Sequence, residues 1–338
     1  MKELLSVFFA SVMLFNLVGI LCFDKQAWAE KKKFIMIGST QTSSSQFGYG
    51  VAVTKAINMH VPELNATVVE TGASVDNVKR LRNGQLDIGA IVTDKVMYEA
   101  WKGIGMWKDM AVPDIRVLWI YLKAIQHFVV REDSGVKKWE DLEGKKFNPG
   151  MRGSSTEETT KQVFNILGVK PDYHIGGTSD AVAAIKDGRI VGYVKSGAGF
   201  QLDASTLDIK TMTKIRLLSM TAEQVKKVKD AIPYIPILTV PAGKIRALPN
   251  QPDYTNYAVM VFAVALKSFP EDLGYKCVKA ILKEREMIIS AFSPFGDVDV
   301  IKDTTELAMA PLHAGAYRAY KELGAKIPER AIPPETEK

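Results

Sequence analysis

An α/β protein of two doubly wound lobes around a central cleft is the architecture this sequence predicts, on three observations. Short apolar strands alternate with amphipathic helices after residue 30, the pattern of parallel sheets with crossover helices. That alternation comes as two successive units with a pair of strands between them. The chain has 338 residues, 47% of them hydrophobic, which is enough for two ordinary cores.

In the first unit, 34–38 reads as an apolar strand and 46–59 as an amphipathic helix. Residues 66–70 form a second strand, Thr71-Gly72-Ala73 a turn, and 74–82 a helix stopped by Asn83-Gly84. A third strand, 86–93, leads into a helix over 94–101. Segments 115–121 and 126–131 read as strands separated by a polar interruption, the first crossing between lobes. The second unit opens with strand 145–148, loop 149–155 and helix 156–167, ended by Gly168. Ser179 caps a helix to Lys186, 190–194 is a strand, and 215–219 carries the chain back. Helical stretches 271–292 and 304–323 complete the first lobe. The expected boundaries are 30–120 plus 221–330 for lobe I, 121–220 for lobe II and 331–338 for a tail.

Residues 1–29 read as a signal peptide. Lys2 precedes an almost unbroken apolar run over 4–23, and Ala27-Trp28-Ala29 is a small-x-small cleavage signal before Glu30. The run is as long as a membrane span, so an uncleaved anchor is the rival reading. Leu21 makes the surroundings of Cys22 a poor lipidation box. An exported, periplasmic protein is expected. After cleavage only Cys277 remains, as a core filler on a helix, so no intrachain disulfide forms. The net charge of +6 is spread among acids, as in Lys137-Lys138-Trp139-Glu140-Asp141, and no nucleic-acid module is present.

The strand-to-helix loops carry the chemistry. Gly38 to Ser45 is a run of small hydroxyl and amide residues just before a helix, where unpaired N–H groups and the helix dipole favour an anion. Thr40, Gln41, Ser44 and Ser45 are the candidate contacts there, with Phe47, Tyr49 and Phe200 as possible walls. The second unit repeats the design with Arg152, Ser154, Ser155 and Thr156. Gly72 and the pair Thr93 and Asp94 mark two further strand ends. Lys195, Ser196 and Gly197 follow the last strand of the second unit. Ser44, Ser45 and Asp94 are equally good as plain helix caps. Arg152 and Lys195 could clamp a carboxylate or simply be solvated.

Nothing points to an enzyme. His60, His127, His174 and His313 lie far apart and outside any metal-ligand spacing. There is no nucleophile elbow, phosphate loop or dinucleotide fingerprint, so no catalytic residue, metal or cofactor is assigned. A secreted hydrolase with a triad assembled from distant residues is the weaker alternative.

These blocks resemble the TAXI-type solute-binding proteins of TRAP transporters. Gly38 to Gly50 is similar to the family's opening Gly- and Thr-rich loop, and Thr71-Gly72-Ala73-Ser74-Val75-Asp76-Asn77 to its Gly-Gly-Ser-Val-Glu-Asn turn. Val129 to Gly135, Gly153 to Glu157 and Pro311 to Ala316 with Tyr320 match three more blocks in the family's order. The resemblance implies a periplasmic-binding-protein type II-like receptor that closes on a glutamate- or 2-oxoglutarate-like organic anion. It also implies TRAP membrane subunits as partners, a monomeric receptor and no nucleic acid. A ligand sensor reporting to a membrane kinase would share the fold and differ only in partner. The chain departs from the family at Thr40, Gln41, Ser43, Ser44, Arg152 and Tyr193-Val194-Lys195, so its ligand is expected to differ from the familiar ones.

Overall fold

The computed structural model describes residues 32–336, so the expected signal peptide and its cleavage site lie outside the described residues. No helix among the described residues is long and apolar enough to cross a membrane.

The first unit runs β1 (Lys33–Gly38), α1 (Ser45–His60), β2 (Leu64–Val69), α2 (Ser74–Arg82), β3 (Ile88–Thr93) and α3 (Asp94–Lys102). A long strand, β4 (Ile115–Arg131), leads to the second unit. That unit holds β5 (Lys146–Asn148), α4 (Ser155–Leu167), β6 (Asp172–Tyr173), α5 (Thr178–Lys186) and β7 (Gly192–Ser196). It continues with α6 (Ala204–Lys210), β8 (Ile215–Leu217), α7 (Ala222–Ala231) and β9 (Ile237–Val240). A second long strand, β10 (Tyr254–Leu266), precedes α8 (Glu271–Lys283), α9 (Arg285–Ala291), α10 (Val300–Leu307) and α11 (Ala314–Glu322).

The strands lie in the order β2-β1-β3-β10-β4-β7-β5-β6, with β8 also on β4 and β9 on β10. Each half is doubly wound: β1 sits between β2 and β3, and β5 between β6 and β7. Ile37 of β1 lies parallel to Ile88 of β3, and Phe147 of β5 parallel to both Tyr173 and Gly192. This is the doubly wound, two-lobed α/β architecture that the sequence predicts.

Two strands cross between the lobes. β4 has 17 residues, roughly 58 Å if fully extended. It pairs with β10 up to Ile125 and with β7 from Gln126 onward. The expected interruption at 122–125 is absent, because Lys123 pairs across to Met260 in the ladder like its apolar neighbours. Polarity in mid-strand marks the change of sheet partner instead of a break.

The expected return at 215–219 also differs. β8 pairs with Val129–Arg131 of β4, and Val228, Ile232, Ile235 and Tyr257 pack with Phe128, Trp139 and Phe164. Residues 225–237 and Tyr257 therefore share the second core, Val240, Ile245 and Tyr254 join a third cluster with Val129 and Ile190, and the chain goes back along β10. Alternation of apolar residues identifies a strand but not the sheet edge it joins.

Smaller corrections follow the same logic. Gly177, not Ser179, caps α5, and the expected helix over 271–292 is divided at Glu284. The expected helix over 304–323 is split into α10 and α11, with Pro311 between them. The supposed tail is docked: Ala331 is buried and Glu335 forms a two-pronged ion pair with Arg116 at 2.9 Å. Cys277 sits in the first core as expected, where burial pushes its thiol up to about 12.

Candidate functional site

The carboxyl ends of β1, β2 and β3 are tied together before any ligand group is considered. Thr71 Oγ1 and Asn77 Nδ2 both donate to the carbonyl of Ser39, at 2.8 and 3.0 Å, and Asn77 also donates to Ile91 O at 3.0 Å. Ala73, which begins α2, is the only described non-glycine residue with positive φ, at 64°. Such a conformation costs on the order of 1–3 kcal/mol and persists where surrounding structure enforces it.

These ends face the loop before α4 and the end of β7 across a cavity of about 40 Å3. Thr40, Gln46, Ser74 and Thr93 line it from one side; Gln126, Ser154, Ser155, Thr156, Lys195 and Ser196 line it from the other. That volume holds roughly three waters. The lobes are shut on each other: Gln41 Oε1 accepts from Thr178 N at 2.7 Å, and Gly153 O accepts from Asp76 N at 3.1 Å.

The lining is a set of donors. Tyr121 OH donates to Gln46 Oε1 at 2.7 Å, and Thr156 Oγ1 donates to Gln126 Oε1 at 3.3 Å. Each amide oxygen thus accepts one hydrogen bond, and Gln126 Nε2 is buried and unpartnered. The hydroxyls of Thr93 and Ser196 are also buried without a partner. Unsatisfied buried polar groups each carry a penalty of about 1–3 kcal/mol, so several around one cavity need a function.

Lys195 is the cation of the cavity. Its Nζ donates to Ser44 Oγ at 3.0 Å and lies 3.7 Å from Asp203 Oδ1. Asp203, fully buried, accepts from Ser45 N at 3.2 Å, from the Ser45 hydroxyl, and from Ser205 N at 3.1 Å. Burial works to raise the Asp203 carboxyl, but the Lys195 charge and the Ser205 and Ser45 hydrogen bonds bring it below its ordinary value. The pair ties the start of α1 to the start of α6 across the lobes.

The expected contacts divide accordingly. Thr40, Thr93, Ser154, Ser155, Thr156, Lys195 and Ser196 meet at the cavity. Ser44 and Ser154 do cap their helices, accepting from Gln46 N and Glu157 N. Ser45 belongs to the Asp203 cluster. Gln41, Gly72 and Arg152 line a separate outer groove, with Arg152 exposed. Phe47 is half-buried and away from the cavity, Phe200 is exposed, and Tyr49 stacks on Tyr121 in the core at 3.7 Å. Gly197 keeps a close approach: a Cβ there would come within 3.0 Å of the His127 ring. Gln46, Ser74, Gln126 and Asp203 were not among the candidates. Asp203 had a signal, an acid directly before Ala204-Ser205 in N-cap position.

Comparison with known proteins places the chain. The NMT1-like family model matches residues 37–324. The chain belongs to the NMT1-like family. It is similar to solved structures at greater distance. One is an ancestral arginine-binding protein bound to arginine, 17% identical over 78% of this chain and 99% of that one, with a TM-score of 0.49. Another is the arginine-, lysine-, histidine-binding protein ArtJ from Geobacillus stearothermophilus, 14% identical over 81% and 99%, with a TM-score of 0.48. The aliphatic sulphonate binding protein SsuA from Escherichia coli is 16% identical over 86% and 83%, with a TM-score of 0.40.

Two buried titratable groups of this NMT1-like protein sit next to cavity-lining residues. Asp94 follows Thr93, and its Oδ1 is unpartnered. Burial pushes its carboxyl up to about 7, against the pull of the Lys95 and Met260 backbone N–H groups and the Lys95 charge. His127 follows Gln126, and burial pulls its imidazole down to about 4 against the influence of Asp203. The signs are opposite. Between about 4 and 7 the folded state holds the extra proton at Asp94, so that group lowers stability as pH rises. Between about 4 and 6.5 the unfolded state holds it at His127, so that group raises stability as pH rises. Asp94→Asn removes the first slope. Urea unfolding at pH 5 and pH 8 should show the variant gaining on the native protein at the higher pH, by up to a few kcal/mol. An equal difference at both pH values would show that Asp94 does not titrate in this window.

Proposed function

We propose that this protein is an extracytoplasmic solute-binding receptor of a TRAP transporter, binding a small organic anion, a carboxylate or acidic amino acid, by lobe closure. The observation that carries the reading is the converging donor set: the Gln46 and Gln126 amides, the Thr93 and Ser196 hydroxyls and the Lys195 ammonium. A carboxylate supplies several lone pairs to such donors, whereas a cation or an apolar guest supplies none. The NMT1-like family membership and the two-lobed fold support the receptor part of the proposal. The order of blocks resembling TAXI-type receptors supports the TRAP part.

Closure follows from differential affinity. The two donor sets lie on different lobes, so only a shut molecule offers both to one guest, and the guest shifts the population toward that state. The shut cavity suits a ligand of few heavy atoms; a glutamate-sized guest requires the lobes to stand further apart. Thermal melts of the mature chain across small carboxylates, acidic amino acids and phosphate test this. A true ligand at 100 times its Kd should stabilise the fold by about 2.7 kcal/mol. Melts unmoved by every anion, together with a shift by a cationic or neutral solute, would overturn the proposal.

A further inference from the structure

The charge of the closed cavity discriminates among carboxylates. Lys195 is the only ionisable side chain among the described residues that line it. The rest of the polar lining is amides and hydroxyls, of which Gln126 Nε2, Thr93 Oγ1 and Ser196 Oγ are buried without a partner. Two buried acids are neighbours of lining residues, and neither lines the cavity itself. Asp203 accepts from Ser45 N and Ser205 N and lies 3.7 Å from Lys195 Nζ, so its charge is answered within the protein. Asp94 follows Thr93, and the backbone N–H groups of Lys95 and Met260 meet its carboxyl.

An α-amino acid carries a second charge on the carbon beside its carboxylate. With its carboxylate at Lys195, it would bring an ammonium out of water into a cavity that already holds one. A hydroxyl or carbonyl oxygen on that carbon is uncharged and accepts from the donors left open. Those donors sit on both lobes: Gln126 lies directly across from Ser196 in the β4–β7 ladder, and Thr93 ends β3. A carboxylate can take the donors of one lobe and the neighbouring oxygen those of the other. The described lining holds no second cation for a second carboxylate. Ile91, Val194 and Val261 complete the wall, and a phosphate or sulfate would turn oxygens against them.

We propose that the cleft selects a short 2-oxo or 2-hydroxy monocarboxylate and rejects the amino acid of the same shape. The inference rests on the reading of this cavity as an anion receptor and narrows it. Lys195 sets the sign of the guest and the number of its carboxylates. The uncharged lining around Lys195 sets what the neighbouring carbon can carry, and the volume of about 40 Å3 keeps the chain short. Discrimination of this kind comes from repulsion of the wrong guest as much as from attraction of the right one.

Calorimetric titration of the mature chain with pyruvate and L-alanine, and with glycolate and glycine, compares guests matched in shape. Each oxygen acid should bind at least about a hundredfold more tightly than its amino counterpart. Gln126→Glu sets a carboxylate among the lining residues, so it should weaken pyruvate by about tenfold or more and narrow the preference over alanine. The native comparison decides whether or not that variant folds. Equal affinity for pyruvate and alanine would overturn the inference and leave the receptor reading standing; loss of that alanine binding in Asp94→Asn would make Asp94 the partner of the ammonium. Silence toward pyruvate and glycolate at millimolar concentration, or tighter binding of succinate or inorganic phosphate, would overturn it too. Binding of a cationic or neutral solute with silence toward every anion would overturn the receptor reading as well.

Discussion

Replacing Lys95 with methionine should destabilise the protein by about 3–5 kcal/mol, the usual result of removing one member of a buried ion network. Lys95 is on α3, with its side chain 3% exposed; its Nζ lies 3.0 Å from Glu99 Oε1 and 2.7 Å from Glu158 Oε2. Tyr234 OH donates to Glu99 Oε1 at 2.7 Å, and its ring lies 5.1 Å from that of Tyr98. Lys95, Tyr98 and Glu99 belong to the first lobe, Glu158 and Tyr234 to the second. Without the ammonium, Glu99 and Glu158 face each other with no countercharge. Urea unfolding gives the loss directly. The same variant should also bind its cleft ligand more weakly, because the network ties residues of the two lobes together in the shut form, although Lys95 lines no part of the cavity. Changing Glu158 to glutamine in that background should restore part of both losses by removing the repulsion. A stability change within about 0.5 kcal/mol would mean that water already screens the group.

Much of this was legible in the residues, and the reasons for the rest are physical. The end of the helix Ser74–Arg82 at Asn83-Gly84 follows from a stop signal and the start of α4 from the Ser154 cap, signals that act within a few positions. The convergence of the strand-end loops follows from the doubly wound order. The pairing of β8, by contrast, depends on contacts between residues far apart in sequence, as between Leu217 and Val129. So does the role of Asp203, which looks like an ordinary cap until α6 is brought against α1. Lys195 and Arg152 look alike as loop-end cations. Only the fold puts one against a buried aspartate and leaves the other exposed in an outer groove.

That difference sets the second large effect. Lys195→Met removes the cation lining the cavity and should weaken binding of an anion by about 2–3 kcal/mol, on the order of a hundredfold, as for a lost charge-assisted hydrogen bond. It also strips Asp203 of its countercharge, so part of the damage is to folding. The lowered Asp203 carboxyl adds a pH signature. Its stabilising contribution is present above the unfolded value near 4 and is lost as pH falls through the depressed folded value. In Lys195→Met the depression should shrink, so acid unfolding begins at higher pH. Asp203→Asn in the same background separates the two roles. It should recover stability, since neither charge is then buried alone, but it cannot recover affinity, because no cation is returned to the ligand. Calorimetric titration and urea unfolding of the native protein, both single variants and the double variant close the cycle. If the double variant bound the anion as tightly as the native protein, Lys195 would serve only Asp203, and the amide and hydroxyl donors would hold the guest without it.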